Sequence, residues 1–274
     1  MSIKKKIFIV SFLIFYFALI NGLNRYSKIF SVASKNEPAS SASTPIPLKS
    51  LYAPILIYHY VEYVQDEKDT IRKSLNILPH IFIKQIETLK NAGYTFITAS
   101  ELIDIMDGKI NIPQKPILIT FDDGYRDFYT DVFPILKKYN VKTTAYIVSG
   151  FLDELNYMFT WQLEEIAKSG LVEIGAHTVH HYALGGLNPM LAKSEIEESK
   201  KELEGSTNLP VVSFAYPNGN FDDQTIKLVK EAGFKSAVTT IHGFEINQNN
   251  KFTLYRIHPG NKTDDYLLNF IELK

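Results

Sequence analysis

The stretch ILITFDDGYRDFY, residues 117–129, is an apolar run of strand type that ends at two adjacent carboxylates and a glycine. Neighbouring strand residues point to opposite faces, so Asp122 and Asp123 can serve one pocket only where the strand ends and the backbone turns. Gly124 permits that turn. One aspartate could cap the following helix, but two unpaired carboxylates at a strand end repel each other. A bound cation would remove the repulsion, and the sequence therefore predicts one here.

Other strand-like stretches alternate with amphipathic helical patterns along most of the chain. Helices at residues 80–94 and 222–234 close at Gly93 and Gly233, and Asn188 begins another. The predicted strands are residues 55–59, 95–98, 116–121, 142–148, 172–176, 211–216, 235–240 and 253–258. This alternation predicts an α/β fold with a parallel barrel, and an open doubly wound sheet is the alternative. In both architectures ligands gather at the C-terminal ends of the strands.

The N-terminus has the layout of an export signal, with three lysines followed by an apolar stretch at residues 7–23. Small residues at 31–34 suit a peptidase, but the apolar stretch is also near the length of a membrane anchor. We therefore expect residues 1–30 to be a signal peptide or an anchor, 31–51 a Ser/Pro-rich tether, and 52–274 the folded domain. The domain is then exported, either secreted or anchored on the outer side of the cytoplasmic membrane in the cell envelope.

Composition narrows the classes of partner and of metal site. The chain has 29 basic and 30 acidic residues and no basic cluster, which argues against a nucleic-acid partner. It has no cysteine, so disulfides, thiolate nucleophiles and zinc–thiolate sites are excluded. Any metal must be held by histidine and carboxylate.

The stretch EIGAHTVHHYAL, which follows a predicted strand, supplies histidines at a spacing suited to a metal. His177 and His181 are four residues apart, so on a helical turn both imidazoles lie on one side. His180 is expected to point away from the ion, in a supporting or merely surface role. Two imidazoles and one carboxylate leave positions open for water and substrate, as in a catalytic site for hydrolysis. Zinc is the default, and Co, Ni, Mn or Fe(II) suit the same donors.

Three stretches, TFDDG, HTVHHYAL and FAYPNG, together resemble the polysaccharide deacetylase family, carbohydrate esterase family four with the NodB-homology domain. The first two match the family patterns TFDDG and H-[ST]-x-x-H-x-x-L in full. The third pattern, R-x-P-[YF]-G, is matched only at Pro217 and Gly219. The resemblance extends from about Tyr52 to the end of the chain and implies a distorted (β/α)7 barrel.

Position by position, the resemblance implies roles for the residues of these motifs. Asp123, His177 and His181 would bind the metal, and Asp122 would be the general base. The backbone N–H of Tyr216, with the metal, would hold the tetrahedral oxyanion.

The third motif departs from the family at two positions. The arginine that would orient the base is replaced by Ala215, and an aromatic position is occupied by Asn218. Arg256 in LYRIHPG, at the end of a late strand, could supply the lost charge to Asp122, and a surface ion pair is the alternative.

The amine leaving group needs a proton, and two histidines at strand ends are candidates for the general acid. The first strand, ILIYHYV, resembles the branch of the family that deacetylates poly-β-1,6-N-acetylglucosamine, in which this histidine faces the catalytic pocket. We therefore favour His59, for which a structural or pocket-lining role is the alternative, and hold His258 in reserve. Tyr125 is expected to line the cleft. Trp161, beside the expected helix cap Thr160, either stacks on a sugar ring or packs in the core.

The sequence thus predicts a metal-dependent hydrolase that removes N-acetyl groups from an extracellular N-acetylglucosamine polymer, with the β-1,6-linked polymer favoured. A peptidoglycan, chitin-oligomer or xylan deacetylase with the same site is one alternative. A non-catalytic glycan-binding barrel is another, and the incomplete third motif is its main support. We expect a monomer that contacts the membrane only through its N-terminal segment.

Overall fold

The computed structural model describes residues 48–66 and 68–272. The expected signal peptide or anchor and most of the expected tether lie outside the described residues. Within the part that is described, no helix is long and apolar enough to span a bilayer.

The elements follow the alternation that the sequence predicts. The strands are β1 (Ser50–Leu51), β2 (Ile55–Tyr58), β3 (Tyr60–Val61), β4 (Asn76–Ile77), β5 (Thr95–Ile97), β6 (Pro116–Phe121), β7 (Thr143–Ile147), β8 (Val172–Ala176), β9 (Ser213–Ala215), β10 (Ser236–His242), β11 (Ile246–Asn247) and β12 (Leu254–Arg256). The α-helices are α1 (Thr70–Leu75), α2 (Pro79–Asn91), α3 (Ala99–Met106), α4 (Phe133–Tyr139), α5 (Thr160–Lys168), α6 (Pro189–Thr207), α7 (Asp223–Glu231) and α8 (Asp264–Glu272).

Seven parallel strands form the main sheet in the order β12, β10, β9, β8, β7, β6, β2, and β5 pairs with the start of β6. The two end strands meet, because the Ile57 N–H donates to the Ile257 carbonyl at 3.1 Å and the Ile257 N–H donates to the Ile55 carbonyl at 2.8 Å. The sheet therefore curls into a barrel with helices around it. The predicted (β/α)7 barrel is confirmed, and the open doubly wound sheet is wrong.

Two apolar layers follow from the two-residue period of the strands. On β6, Ile117, Ile119 and Phe121 pack outward in a cluster with the surrounding helices. Leu118 belongs to a second cluster inside the barrel, with residues of other barrel strands and with α3. The next inward position after Leu118 and Thr120 is that of Asp122, so the strand period itself directs this carboxylate into the barrel.

Each of the eight predicted strands is present, with shifts of a few residues at its ends. The strand predicted at residues 211–216 is only Ser213–Ala215, and β2 ends at Tyr58 rather than at His59. The pairs β1–β11 and β3–β4 have no counterpart in the sequence analysis. Each of their strands is two residues long, which is too short to show a hydrophobic period.

A buried carboxylate, Asp127, ties β3 to the segment that follows β6. Its Oδ2 accepts the Val61 N–H at 2.6 Å, and the residue is 8% exposed. Burial raises the pKa of Asp127 to about 7, with a further increase from Glu62, although the Val61 N–H acts in the opposite direction. The fold therefore favours the neutral form of this side chain.

We expect Asp127→Asn to remove the pH dependence that the titration of Asp127 gives to the free energy of unfolding. Between the unfolded pKa of 3.8 and the folded pKa of about 7, the native side chain keeps its proton while the unfolded chain has released it. The stability that protonated Asp127 contributes is thus fully present below pH 3.8, and it is lost as the pH rises through about 7. Relative to the parent, the variant should gain unfolding free energy with rising pH, up to about 4 kcal/mol at ~1.36 kcal/mol per pKa unit. Urea unfolding from pH 4 to 8 measures this, and parallel pH profiles of the two proteins would contradict it.

Candidate metal-dependent active site

The two adjacent aspartates reach one pocket because the backbone turns between them. Asp122 keeps the inward direction of its strand, whereas Asp123 has a φ of 74° and Gly124 a φ of 82°. A positive φ is unfavourable for a residue with a β carbon, and such strain is concentrated at functional sites. The turn brings Asp123 to the same side as Asp122, as the opening motif requires.

Asp123 lies within reach of both predicted histidine ligands. Its Oδ1 is 3.5 Å from the His177 Nε2 and 3.3 Å from the His181 Nε2. One ligand atom from each of the three side chains lies within 4.8 Å of the others. Asp123 and His177 are buried, while the side chain of His181 is 27% exposed, so the group opens towards solvent. One carboxylate and two imidazoles arranged in this way fit a divalent metal with open positions.

The segment that carries the two imidazoles is not a helical turn, contrary to the sequence analysis. Residues 177–181 form a loop after β8, in which Thr178 has a φ of 64° and His181 a φ of 57°. These left-handed residues turn the chain so that the two imidazoles meet edge to face, with ring centroids 4.8 Å apart. The spacing of four residues predicts a helical turn, but the loop brings the two imidazoles together through left-handed backbone conformations at Thr178 and His181.

A backbone carbonyl orients the first of these histidines. The His177 Nδ1 lies 2.7 Å from the Ala215 carbonyl oxygen, to which it must donate. This fixes the tautomer and leaves Nε2, the nitrogen that faces Asp123, free to bind a metal. Sequence reasoning missed this contact, because every residue has a carbonyl and no motif marks the one that is used.

Charge in the pocket favours the ionised form of Asp123. Burial opposes ionisation, but the hydrogen bond and charge of His177, followed by His59 and His181, hold the pKa of Asp123 below its usual range. Burial also acts against the cationic form of His177, yet Asp123 and Asp122 raise the pKa of that imidazole. Burial and the neighbouring His177 lower the pKa of His181. The site is therefore an anionic carboxylate among imidazoles.

Asp122 forms a buried, two-pronged ion pair with Arg256. The Arg256 Nη1 donates to Oδ1 at 2.7 Å and Nη2 donates to Oδ2 at 2.6 Å, and neither side chain is more than 3% exposed. Arg256 also donates to the Thr239 carbonyl at 2.7 Å and to the Thr120 Oγ1 at 3.1 Å. Burial opposes the ionisation of Asp122, but Arg256 outweighs it and lowers the pKa. The alternative of a surface ion pair is wrong.

We expect Arg256→Met to lower the free energy of unfolding by roughly 3–5 kcal/mol, because Asp122 would be left as a buried charge without its partner. Arg72→Met is a matched control, since Arg72 pairs with Glu62 at 2.9 Å where both side chains are more than 20% exposed. Such a pair contributes about 0–1 kcal/mol. Chemical denaturation of both variants measures the difference. If both variants lost similar amounts of unfolding free energy, the buried pair would contribute no more than the exposed one, and the prediction would be wrong.

The two candidate acids differ in their partners. The buried Nδ1 of His59 has no hydrogen-bond partner among residues 48–66 and 68–272. The charge of His59 acts on both Asp122 and Asp123, which places its ring beside the site. His258 is exposed, and its Nδ1 accepts the Gly260 N–H at 3.2 Å. Partial burial, followed by His59 and Lys262, lowers the pKa of His258.

Tyr216 has its ring in the core and its N–H in the sheet. The ring is fully buried, 5.4 Å from that of Phe214 and 4.9 Å from that of Phe221. The Tyr216 N–H donates to the Val238 carbonyl at 3.2 Å. To hold an oxyanion, this N–H would have to give up its bond to the neighbouring strand.

The turn after Tyr216 offers a different donor. The Gly219 N–H donates to the Tyr216 carbonyl at 2.9 Å and the Asn220 N–H to the Pro217 carbonyl at 3.0 Å. Proline has no N–H. Asn218, with a φ of 57°, carries the remaining N–H of this turn.

Tyr125 lies in a stack of tyrosines next to Asp123. Its ring is 3.9 Å from that of Tyr60 and 5.0 Å from that of Tyr157, with both pairs stacked. The charge of Asp123 acts on all three hydroxyls, so the stack borders the metal group. Two aromatic rings thus stack on Tyr125 at the border of the metal group. Sequence reasoning missed Tyr60, although it directly follows His59 at a strand end.

Trp161 is 56% exposed, so the alternative that it packs in the core is wrong. Its ring meets Tyr129 edge to face at 5.3 Å and stacks near Phe159 at 6.4 Å. Thr160 is the first residue of α5 rather than its cap, and the N-cap position is that of Phe159. The expected cap is wrong by one residue, which is the usual uncertainty of a helix end.

His180 faces away from the metal group, as expected. Its side chain is 55% exposed and its Nδ1 lies 2.7 Å from the Glu195 Oε1.

A comparison with protein families agrees with this geometry. The family model described as polysaccharide deacetylase matches residues 109–237, which include both aspartates and both histidine ligands. The region that carries the site matches the polysaccharide deacetylase family. The resemblance seen in the sequence motifs is thereby confirmed.

Individual members of the polysaccharide deacetylase family are similar over most of the chain. A Bacillus subtilis protein, YxkH, named as a polysaccharide deacetylase, is 29% identical over 84% of this chain and 78% of its own length. A Staphylococcus aureus poly-β-1,6-N-acetyl-D-glucosamine N-deacetylase is 28% identical over 64% of this chain, and the match spans only 63% of that relative. The structure of the Streptococcus pyogenes deacetylase PplD in complex with acetate has a TM-score of 0.75 at 28% identity, and the match covers 81% of this chain and 99% of that one.

Proposed function

We propose that the protein is a metal-dependent hydrolase that removes N-acetyl groups from an extracellular N-acetylglucosamine polymer, with poly-β-1,6-N-acetylglucosamine as the preferred substrate. The observation that carries this proposal is the Asp123, His177 and His181 group beside a second buried carboxylate, Asp122, which is held by Arg256. A binding module would need neither the metal ligands nor a base.

The three ligands have the donor types of a catalytic metal site. A divalent ion, with zinc as the default, would polarise the acetamide carbonyl and make a water more acidic when bound there. Asp123 is kept ionised by its imidazole neighbours, and the His177 tautomer presents Nε2 to the site. These side chains are thus ready to bind before any metal arrives.

Asp122 is assigned as the general base. It accepts a proton from the water that attacks the acetamide carbon. Arg256 occupies one lone pair of each carboxylate oxygen, which leaves the others free to accept that proton. Arg256 therefore stands in for the arginine that is missing at Ala215, and this weakens the case for a non-catalytic barrel.

The departing amine and the developing oxyanion need partners of their own. His59 is assigned as the acid that protonates the amine nitrogen, because its ring lies beside both aspartates. His258 stays in reserve. For the oxyanion, the Asn218 N–H is a better donor than the Tyr216 N–H, which already donates to Val238. The products are acetate and a free amino group on the sugar.

The choice of substrate is supported by the first strand and by relatives. The opening ILIYHYV resembles the branch that acts on the β-1,6-linked polymer, and the staphylococcal relative carries that activity in its name. Peptidoglycan, chitin oligomers and acetylated xylan are the alternatives for the same site. Export through the N-terminal segment would place the domain in the cell envelope, beside such polymers.

An assay of acetate release tests the proposal. Protein reconstituted with zinc or cobalt is given β-1,6- and β-1,4-linked N-acetylglucosamine oligomers, with and without a chelator. We expect release that needs metal and is faster with the β-1,6 series. Faster release from the β-1,4 series would move the substrate to chitin or peptidoglycan. Binding of oligomers without release from any acetylated glycan would favour the binding module.

A further inference from the structure

Glu195 of α6 is a buried carboxylate with no part in the chemistry described above. It is 3% exposed. Its Oε2 accepts the N–H groups of Val179 at 3.0 Å and His180 at 2.8 Å, and its Oε1 lies 2.7 Å from the His180 Nδ1. We propose that Glu195 is a positioning residue for the metal site, which holds the backbone between the two histidine ligands so that His181 faces Asp123. This inference rests on the proposed function only through the metal site.

The loop between the ligands needs such support because its backbone is strained. Thr178 and His181 both have positive φ angles, of 64° and 57°. Residues with a β carbon rarely adopt this conformation and keep it only when surrounding contacts impose it. Glu195 binds the two peptide N–H groups that lie between these strained residues, and a carboxylate acceptor makes those bonds stronger than neutral ones.

The carbonyl groups of the loop are held by backbone hydrogen bonds. The Ser149 N–H donates to the Thr178 carbonyl at 3.2 Å and the Gly150 N–H donates to the Val179 carbonyl at 3.0 Å. A side chain at residue 150 would place its β carbon 2.6 Å from that second carbonyl oxygen, so glycine is needed for the approach. The carbonyls of the loop are thus fixed by the turn after β7, and its N–H groups are fixed by Glu195.

Glu195 can act as a fixed acceptor because its helix is anchored. Ala192, Ile196, Ser199 and Leu203 of α6 are buried, and the Asn188 side chain caps the helix by accepting the Met190 N–H at 3.0 Å. The carboxylate is therefore carried by a rigid element and not by a mobile loop. Because the acceptor is fixed on α6, its hydrogen bonds hold the loop that carries His181 at a set position relative to that helix.

The test is the metal affinity of folded Glu195→Ala, with Glu198→Ala as matched control. Glu198 lies on the same helix, but it is exposed and pairs with Lys201 at 3.4 Å. Titration calorimetry with zinc and the absorption spectrum of the cobalt form measure the site directly. We expect the alanine variant to bind about 10–100-fold more weakly, the range seen when groups that orient metal ligands are removed. The control should bind like the parent.

Two further variants separate positioning from general stability. Glu195→Met fills the same space without an acceptor, and it replaces the alanine variant if that one does not fold. Glu195→Gln keeps one oxygen for the two N–H groups and should recover most of the affinity. If folded Ala and Met variants bind zinc as tightly as the parent while only their unfolding free energy falls, Glu195 is merely structural and the proposal is overturned.

Amide hydrogen exchange in the metal-free protein distinguishes failure of this inference from failure of the proposed function. Exchange at Val179 and His180 should be faster in Glu195→Met than in the parent and unchanged in Glu198→Ala. If the parent binds no metal, the proposed function fails. Unchanged exchange in Glu195→Met would overturn the role of Glu195 whether or not metal binds.

Discussion

Asp122→Asn is expected to lower kcat/KM for acetate release by about 10²–10⁴-fold, the share that a general base supplies. The amide has no basic oxygen that could take a proton from water. Metal affinity should stay near that of the parent, because the group that could hold an ion among the residues that the structure describes is Asp123, His177 and His181. Acetate release and zinc calorimetry on the same preparation measure the two effects.

The substitution also leaves Arg256 buried without its counter-charge, which is expected to cost roughly 3–5 kcal/mol of unfolding free energy. The double variant Asp122→Asn with Arg256→Met removes both charges and serves as the control. It should be more stable than the single variant and equally inactive. If activity returns together with stability, the loss in the single variant was a folding effect and Asp122 is not the base.

His177→Ala should weaken metal binding strongly and lower activity with it. It deletes one of the three ligands, and removing a ligand costs more than the about 10–100-fold loss that follows removal of a ligand's partner. We therefore expect zinc affinity to fall by more than about 100-fold. Zinc calorimetry and acetate release at saturating metal measure the change.

His80→Ala is the matched control for that experiment. His80 is an exposed imidazole of α2 whose Nδ1 lies 3.4 Å from the Tyr63 hydroxyl. It should bind zinc and turn over like the parent. Parental zinc affinity in His177→Ala would mean that the metal is held elsewhere, and the assignment of Asp123, His177 and His181 would fail with it.

Local patterns predicted the barrel well because strands and helices carry their periods in a few consecutive residues. The strand β6 is fully buried, and its end at Phe121 was visible from the run of apolar residues and the glycine that follows the two aspartates. Side chains alternate along this strand, and Leu118 and Thr120 are on its inward face. The next residue on that face is Asp122, which therefore points into the barrel. The strand ends were less certain, as at His59, because the last residue of a strand has few neighbours to mark it.

Sequence reasoning failed where backbone conformation replaced a regular element. The spacing of His177 and His181 suggested a helical turn, but the loop uses positive φ angles at Thr178 and His181. The oxyanion role of the Tyr216 N–H stays a prediction, and its bond to the Val238 carbonyl of the neighbouring strand is a contact that the sequence does not indicate. Neither feature has a residue-type signature.

Short motifs were enough to indicate the kind of chemistry: two aspartates at a strand end, a histidine pair after a later strand, and no cysteine to compete for a metal. The groups that support these side chains became visible only in the packed fold. Arg256 reaches Asp122 across 134 residues of chain, because barrel closure sets β12 beside β2, which in turn pairs with β6. The Ala215 carbonyl and the Glu195 carboxylate meet the histidine loop in the same way. Such contacts depend on how distant segments pack, and a short motif cannot encode that distance.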